Sequence, residues 1–447
     1  MSERVRTVVV GAGIAGLAYA HARGADADLV LLEARELPGG LIRTSPTPDG
    51  HVELGPEALQ DNAPETLALF DELGLVPLFA DAAAAKRFVV DARGVPCALP
   101  SSPPAFLRSP LLSWRGKLRA LSEPFRRRDV ALDASVAEFL RHRVGREVVE
   151  RLVDPAISGI YAGDPELLSA RACFPAVVEM VERHGSLFAG MKARARERRA
   201  AGEPRKAPSL LSVAGGLARL PEALAAALGP RIRLACPVQA VARESGGWQI
   251  RLRDGALLAD ELVLAVPAPA AAKLLAEAAP ALSQQLASIH AEGVVSVAHR
   301  WSRSDLAHPL DGFGVLVPSS LGMRHLGTLF SSSIVPGRCG DGVVLLRTLI
   351  GGARRPELLD APDAELLDIV QHEAAGLLGA RDGAAPDWTQ VTRWPAVLPR
   401  YDLEQPARQQ RIDAALRELP GLSILGNHRR GISVNALIAA SREAAHA

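Results

Sequence analysis

Apolar positions open the chain as an unbroken run and only later settle into mixed patterns. Arg6-Thr7-Val8-Val9-Val10 is β-branched and apolar at consecutive positions, the mark of a strand buried on both faces. Gly11-Ala12-Gly13-Ile14-Ala15-Gly16 follows at once, then an alanine-rich helical stretch, Leu17–Arg23, and a second apolar run, Leu29–Leu32, that ends at Glu33. Thr66–Leu75 reads as an amphipathic helix closed by Gly74, and 85–100 as a hairpin turning at Asp91–Gly94. Helical spacing of three and four then dominates: Trp114–Ser122, Ser135–Val144, Glu147–Ser158 and Ala176–Arg199. A glycine turn and helix fill 210–228, strand pieces lie at Arg231–Leu234 and Gln239–Ala242, and Trp248–Leu252, Leu257–Leu258 and Leu262–Pro267 give a hairpin and a buried strand. Alternating strands from Val294 to Leu349 predict a mixed sheet, covered by a helix over Pro362–Leu378. The chain closes as it opened, with a strand at Leu422–Asn427, glycine at Gly431, and a helix over Ala436–Ala445.

The opening unit holds the full context of a dinucleotide site: strand, G-x-G-x-x-G, helix, strand, acid. Gly11 allows the tight turn, Gly13 lets backbone approach a pyrophosphate, and Gly16 lets the helix lie close to the sheet. The helix N-terminus offers free N–H groups to phosphate, and Glu33 is placed to accept from ribose hydroxyls. Further along stand Gly39-Gly40-Leu41, then Arg43, then Gly55-Pro56. Paired glycines and a cation soon after the ribose acid suit a second close approach to a bulky dinucleotide, with Arg43 for phosphate or the flavin edge.

Composition removes several function classes. The 447 residues carry 51 Lys and Arg against 50 Asp and Glu, a net +1, which gives no basic field for nucleic acid. Residues 101–206 are the exception: 20 Lys and Arg against 13 Asp and Glu, a net +7, which leaves −6 for the remainder. Within that region Phe106, Leu111, Leu112 and Trp114 stand among Arg108, Arg115 and Lys117, a mixture that fits an anionic headgroup layer or a solvated helical insert. Cys97, Cys173, Cys236 and Cys339 are dispersed without a CxxC, so no disulfide framework or zinc cage is expected and a reducing compartment is favoured. There is no GxSxG, no HExxH and no P-loop, and no metal site is expected. No signal-peptide pattern and no apolar run long enough to span a bilayer is read.

The arrangement Glu33-Ala34-Arg35, Pro38-Gly39-Gly40-Leu41-Ile42-Arg43 and Val52-Glu53-Leu54-Gly55-Pro56 resembles the amine-oxidase and phytoene-desaturase superfamily of FAD enzymes. Further blocks, among them KRFVV, SGIYAGDPELLSARACFP, DGFGVLVPSS, LGTLFSSS, LIGGARRPEL, RWPAVLPRY and GNHRRGISVN, make the whole chain similar to the flavin-dependent, oxygen-utilising protoporphyrinogen oxidases, coproporphyrinogen oxidases of the same fold included. The resemblance implies six-electron oxidation of a porphyrinogen in three two-electron steps. The cofactor would be non-covalent FAD, with O₂ as acceptor giving H₂O₂. It implies an α/β (in part α+β) fold of three parts. These are a Rossmann-like FAD domain of 1–84, 207–268 and 400–447; a mixed-sheet substrate domain of 85–100 and 269–399; and a helical, membrane-associated insert, 101–206. It also implies a cytoplasmic protein, peripheral on the inner face of the cell membrane, and leaves a homodimer open.

Residue by residue, the resemblance carries Arg87 to a substrate propionate, Phe313, Leu329 and Leu349 to apolar clamps on the tetrapyrrole, and Gly159 to a block whose backbone carbonyl faces the pyrrole nitrogens. It carries Gly11, Ala12, Gly13, Ile14, Ala15, Gly16, Glu33, Ala34, Gly39, Gly40, Leu41, Arg43, Gly55, Pro56, Glu57, Ala58, Val238, Trp394, Gly426, Ile432, Ser433 and Val434 to FAD contacts. No catalytic acid or base is assigned. Four departures fall near the flavin end: Arg429 in place of a Tyr, Ala436-Leu437 in place of an Asp-Cys pair, Arg400 in place of a Gln, and Glu57 after Gly-Pro, where Arg or Asn is common, which places a carboxylate near the flavin. The alternatives are coproporphyrinogen III as substrate, an amine oxidase, and a flavin-binding protein without turnover.

Overall fold

The structure is a computed structural model and describes residues 3–126, 133–200, 202 and 209–447. The boundary expected between 206 and 207 lies outside the described residues. The opening apolar run forms strand Glu3–Val10, parallel to Leu29–Leu32 on one side and to Gly255–Leu264 on the other. Ile232–Arg233 extends the sheet at one edge, and the antiparallel strands Gly247–Leu252 and Ala240–Glu244 extend it at the other. Gly255–Leu264 is one strand where two pieces were expected: its exposed Asp260 pairs with Arg4 (2.5 Å), so polar residues interrupt the hydrophobic pattern without interrupting the ladder. Its last residues pair in parallel with Leu422–Ile424, which places the C-terminal strand one strand away from the N-terminal one.

One face of this sheet carries the helices Ile14–Ala22, Arg219–Leu228 and Val434–His446. The other is covered by Ala268–Leu275 and Pro280–Ala287 with Ile412 of Gln405–Arg417. A domain boundary at 268/269 therefore cuts through this core: Ala271, Leu275, Leu282 and Leu286 bury against Val5, Val8 and Leu262, not against the substrate sheet.

The second sheet has seven strands in the order Trp388–Pro399, Ala291–Ser302, Val343–Gly351, His325–Leu329, Gly314–Leu316, Phe88–Val90 and Pro96–Ala98. All pairs are antiparallel except Gly314–Leu316 with Phe88–Val90, so the sheet is mixed. The expected covering helix is present over Asp363–Leu377 and buries Leu366, Ile369 and Val370 against Val295, Val297 and Ile350. Trp388–Pro399, unread as a strand, is an edge strand, where Pro395 and Pro399 can withhold their missing N–H groups from the ladder.

Between residues 103 and 200 the described chain is helical with its own core around Phe139, Ile157, Val178 and Val181. Arg146–Tyr161 runs on through a π-helical turn at Val149–Val153, just before Pro155, which has no N–H for the α-helical bond to residue 151. The single helix expected over Ala176–Arg199 is two, Pro175–His184 and Leu187–Ala200. Gly185 ends the first at φ +74°, and the Glu123 carboxylate accepts from the Leu187 N–H (2.8 Å) and the Ser186 hydroxyl (2.7 Å) to start the second. That break depends on a residue 63 positions before Ser186, so local spacing carried no sign of it. Among the described residues no helix is long and apolar enough to cross a membrane.

Candidate active site

Three strands of one parallel set end on the same edge, with the end of Gly255–Leu264 lying between Glu3–Val10 and Leu422–Ile424, and create the first half of the site. Gly11 follows Glu3–Val10, Glu33 follows Leu29–Leu32, and Leu425-Gly426 follow Leu422–Ile424. This is the carboxyl edge of the sheet, where α/β folds bind ligands. Gly11 takes φ +104°, and its N–H donates to Leu32 O (2.7 Å). A Cβ on Gly16 would collide with the Gly11 carbonyl, so glycine there is what lets the helix Ile14–Ala22 sit on the turn. A Cβ on Gly13 would meet no protein atom within 4 Å. The helix N-terminus therefore opens onto space, lined by Ala12, Gly13, Ile14 and Ala15, that a phosphate can fill. The Glu33 carboxylate accepts from the backbone N–H groups of Ala12 (2.7 Å) and Arg35 (3.0 Å), which fixes it across this opening beside Ala34. Val238 lies close by, since the Cys236 N–H donates to Glu33 O (2.8 Å).

The second glycine pair folds back onto the first. The Gly39 N–H donates to Ala12 O (2.7 Å), and a Cβ on Gly40 would lie 3.1 Å from the Gly13 Cα. Leu41 passes under Gly55, whose missing side chain leaves room for the Leu41 carbonyl, and the Leu54 N–H donates to Arg43 O (2.8 Å). The Arg43 guanidinium stands 5.9 Å over the Trp394 ring, and the Trp394 indole donates to Leu54 O (2.9 Å). Burial, aided by repulsion from Arg35, holds the Arg43 pKa below the ordinary arginine value, so an anion beside it would be favoured. Ser433 caps the helix Val434–His446 by accepting from the Ala436 N–H (3.1 Å), and Ile432 joins the core of the helical region. The structure brings Ala12, Gly13, Glu33, Gly39 and Gly40 together at this opening and places Arg43 over Trp394, whereas Val238 packs with the sheet core and Ile432 with the helical region. This donor set, glycine backbone at a helix N-terminus plus a ribose-facing carboxylate, fits the phosphates and ribose of FAD.

The Glu57 carboxylate is buried and flanked by Arg347 Nη2 (3.1 Å) and Arg338 Nη1 (3.4 Å). Pro56 and Ala58 on either side are part-buried.

The second half of the site is one face of the second sheet. Gly327 of His325–Leu329 stands between Leu316 and Leu349 on the flanking strands, and Leu329 stands between Gly314 and Arg347. Leu316, Leu329, Leu349 and Arg347 therefore share a face. The three leucines are only half-buried, while the opposite face, with Val315, Thr328, Thr348 and Ile350, is buried. They form an apolar shelf with Gly327 as its floor. Gly159 roofs one end: a Cβ there would lie 2.6 Å from Leu316 Cδ2. Gly159 sits in the last turn of Asp154–Tyr161, where helix carbonyls lack intrahelical partners, and Ala162 next to it (φ +48°) packs with Leu349. At the other end Phe313 packs with Leu329, and the exposed Arg87 guanidinium lies 5.2 Å from the Phe313 ring.

Several functional groups were missed. Tyr401 ties down the C-terminal loop, donating to Asn427 O (2.5 Å) and accepting from the Gly431 N–H (2.9 Å); burial pushes its pKa up to about 12, so it stays a neutral hydroxyl. Arg354 donates to Asp154 (2.8 Å) and Val317 O (2.8 Å), pinning the Gly159 helix to the shelf. Arg347, a lone cation inside the apolar run Val343–Gly351, was the one visible signal. The departures Arg400 and Arg429 are both paired, Arg400 with Glu292 (2.7 Å) and Arg429 with Asp413 (2.5 Å).

A model of the flavin containing amine oxidoreductases matches residues 14–447. The chain is 33% identical over 481 residues to a protoporphyrinogen oxidase of Macaca fascicularis, covering 98% of each chain. It is 31% identical over 464 residues to a chloroplastic protoporphyrinogen oxidase of Nicotiana tabacum, covering 98% of this chain and 84% of that one. Among solved structures, a candidate protoporphyrinogen oxidase from Exiguobacterium sp. 255-15 superposes with a TM-score of 0.84 at 25% identity, over 100% of this chain and 98% of that one.

Proposed function

The chain belongs to the protoporphyrinogen oxidase family of the flavin-containing amine oxidoreductases, and we propose that it oxidises protoporphyrinogen IX to protoporphyrin IX in haem synthesis. The enzyme is an FAD-dependent oxidase. The observation that carries the substrate reading is the half-exposed shelf of Leu316, Leu329 and Leu349, roofed by Gly159 and ended by a single exposed guanidinium, Arg87. A flat apolar tetrapyrrole with charged propionates at one edge has that complementary shape and charge.

Bound FAD would supply the hydride acceptor for each two-electron step, with O₂ taking up the electrons and the proton released by the substrate to give H₂O₂. The protein's part is positioning. Gly11–Gly16 and Glu33 hold the dinucleotide, with Arg43 and Trp394 beside it. The leucines fix the plane of the tetrapyrrole, and the terminal-turn carbonyl of Gly159 accepts from a pyrrole N–H. Arg87 pairs with a propionate through a charge-assisted hydrogen bond. No side-chain acid or base is required, because oxidation of a porphyrinogen is driven by the aromaticity it gains.

The test is aerobic turnover of protoporphyrinogen IX and coproporphyrinogen III side by side, following porphyrin fluorescence and H₂O₂. Preference for the first is expected. Preference for the second would transfer the reading to coproporphyrin formation, and turnover of neither with FAD bound would overturn it. In the same assay Arg87→Ala should raise KM about tenfold, the worth of a charge-assisted hydrogen bond of about 1.5 kcal/mol, with FAD content unchanged. An unchanged KM removes Arg87 from the site.

Membrane association belongs to the same reading. Trp114, Leu118, Leu121 and Phe125 follow one another at spacings of four, three and four, and Trp114, Leu118 and Phe125 are 65%, 66% and 90% exposed. Arg108, Arg115 and Arg126 are exposed beside them. Apolar side chains rimmed by cations suit the headgroup layer of an anionic bilayer. The parent should sediment with vesicles containing phosphatidylserine, and a Trp114→Ser/Leu118→Ser/Phe125→Ser variant should stay in the supernatant while its turnover in detergent is retained. Equal sedimentation of the two would remove this face from the membrane reading.

A further inference from the structure

Four buried charges join the two halves of the site. Glu53 and Arg338 are wholly buried, and Glu57 and Arg347 nearly so. Arg347, two residues before the shelf residue Leu349 on its strand, turns its guanidinium onto the backbone of the glycine segment. Its Nη1 donates to Glu53 O (2.5 Å) and Gly55 O (2.7 Å), and its Nη2 lies 3.1 Å from the Glu57 carboxylate. Arg338 donates to Glu57 O (2.9 Å) and stands 3.4 Å from the Glu57 and 3.5 Å from the Glu53 carboxylate. Glu53 in turn accepts from the Thr44 hydroxyl (2.7 Å) and the Leu217 N–H (2.8 Å), just ahead of the helix Arg219–Leu228. Burial raises the Glu53 pKa and lowers that of Arg347, the direction in which each charge is penalised.

Stability does not account for such a group. Burying charge carries a desolvation cost that pairing seldom exceeds, and an apolar replacement of the whole set is often neutral or stabilising. What the set does contribute is register. Arg347 belongs to the substrate sheet and Arg338 to the loop that leads into its strand Val343–Gly351, and the acids and carbonyls they hold belong to the segment Glu53–Glu57, which carries Gly55 and Pro56.

We infer that Arg347, supported by Arg338, is a positioning residue: it clamps the Gly55–Glu57 backbone to the strand bearing Leu349 and so sets where the shelf holds a substrate relative to the cofactor. Glu57 serves as counter-ion that keeps the clamp neutral. This rests on the reading of the shelf and of the Gly55–Ala58 segment given above. Arginine suits the task because its fork meets two carbonyls and a carboxylate at once, which an ammonium cannot do in the same geometry.

The experiment compares four holoenzymes: the parent, Arg347→Lys, Arg347→Met, and Arg347→Met combined with Glu57→Gln. Bound FAD, its visible spectrum and midpoint potential, KM and kcat are measured for each. For Arg347→Met we expect full FAD content, KM within about twofold, and kcat lowered roughly 10- to 100-fold, the scale of a small misplacement of reacting groups. Arg347→Lys should recover part of this. The double variant leaves no unpaired carboxylate and no net change of charge, so it should fold even where Arg347→Met does not. Its kcat should stay low and its flavin bands should differ from the parent's. Parental kcat in either Met variant would overturn the inference, because charge balance alone would then suffice. If the parent oxidises neither porphyrinogen, the functional reading fails by itself. The flavin spectrum then decides the clamp, and bands and potential identical in parent and double variant overturn it.

Discussion

Gly13→Ala should leave the apoprotein as stable as the parent, or more stable by about 0.4–1 kcal/mol, while removing most of its FAD. Gly13 has φ −71° and ψ 173°, a conformation open to alanine, so the substitution only narrows the unfolded ensemble. The added methyl meets no protein atom within 4 Å. It enters the opening in front of the helix N-terminus, where a pyrophosphate would lie. Gly16→Ala should do the reverse, because its methyl collides with the Gly11 carbonyl inside the turn. Forcing the helix off the turn costs about 1–3 kcal/mol or more, and FAD is lost only as the fold loosens. Urea unfolding without added FAD, set beside FAD content after purification, separates the two. Similar stability losses in both variants would mean that the space before Gly13 is not the cofactor's.

Asp154→Ala should destabilise the protein by about 3–5 kcal/mol, since it strips the counter-ion from a largely buried guanidinium. The Asp154 carboxylate accepts from Arg354 and from the Ser319 N–H, both at 2.8 Å, at the N-terminus of the helix that carries Gly159. Burial already holds the Arg354 pKa down, with Asp154 opposing it. Arg354→Met on its own also strands a charge, but combined with Asp154→Ala it should recover much of the stability, because paired charges are strongly non-additive. KM should stay raised in the double variant, since the roof over Leu316 is no longer pinned. Denaturant midpoints and KM for the three variants check this. Additive losses would show that the pair is not coupled, and a parental KM in the double variant would show that the pin does not place the roof.

The sequence made the flavin half of the site legible because its signals are local. Gly11, Gly13 and Gly16 are read against their own strand and helix, and Glu33 against the next strand, all within one βαβ unit. The hairpin of 85–100 was legible for the same reason, whereas the parallel pair that makes the second sheet mixed joins Gly314–Leu316 to Phe88–Val90, far apart in the chain. The partners of Glu57 were not legible, because a carboxylate's meaning depends on its neighbours. Arg338 and Arg347, 281 and 290 positions away, turn a bare charge into a neutral buried cluster. The helices after residue 268 were assigned to the wrong neighbour, since an amphipathic stripe shows that a face is buried but not against what.

Beyond what the family resemblance implies for Arg87, the sequence by itself determined the chemistry this protein is built for: backbone N–H groups at a helix N-terminus and an acid for ribose. Those assignments need only residue type and short spacing, and short-range sterics fix both. Tertiary structure alone decided that Leu316, Gly327 and Leu349 lie in line across three strands, that Gly159 closes over them, and that Arg347 reaches from this shelf to the glycine segment. Pairing in a sheet is set by contacts remote in the chain. Which half-buried leucines share a face, and which buried charges meet, is therefore fixed only when the strands assemble.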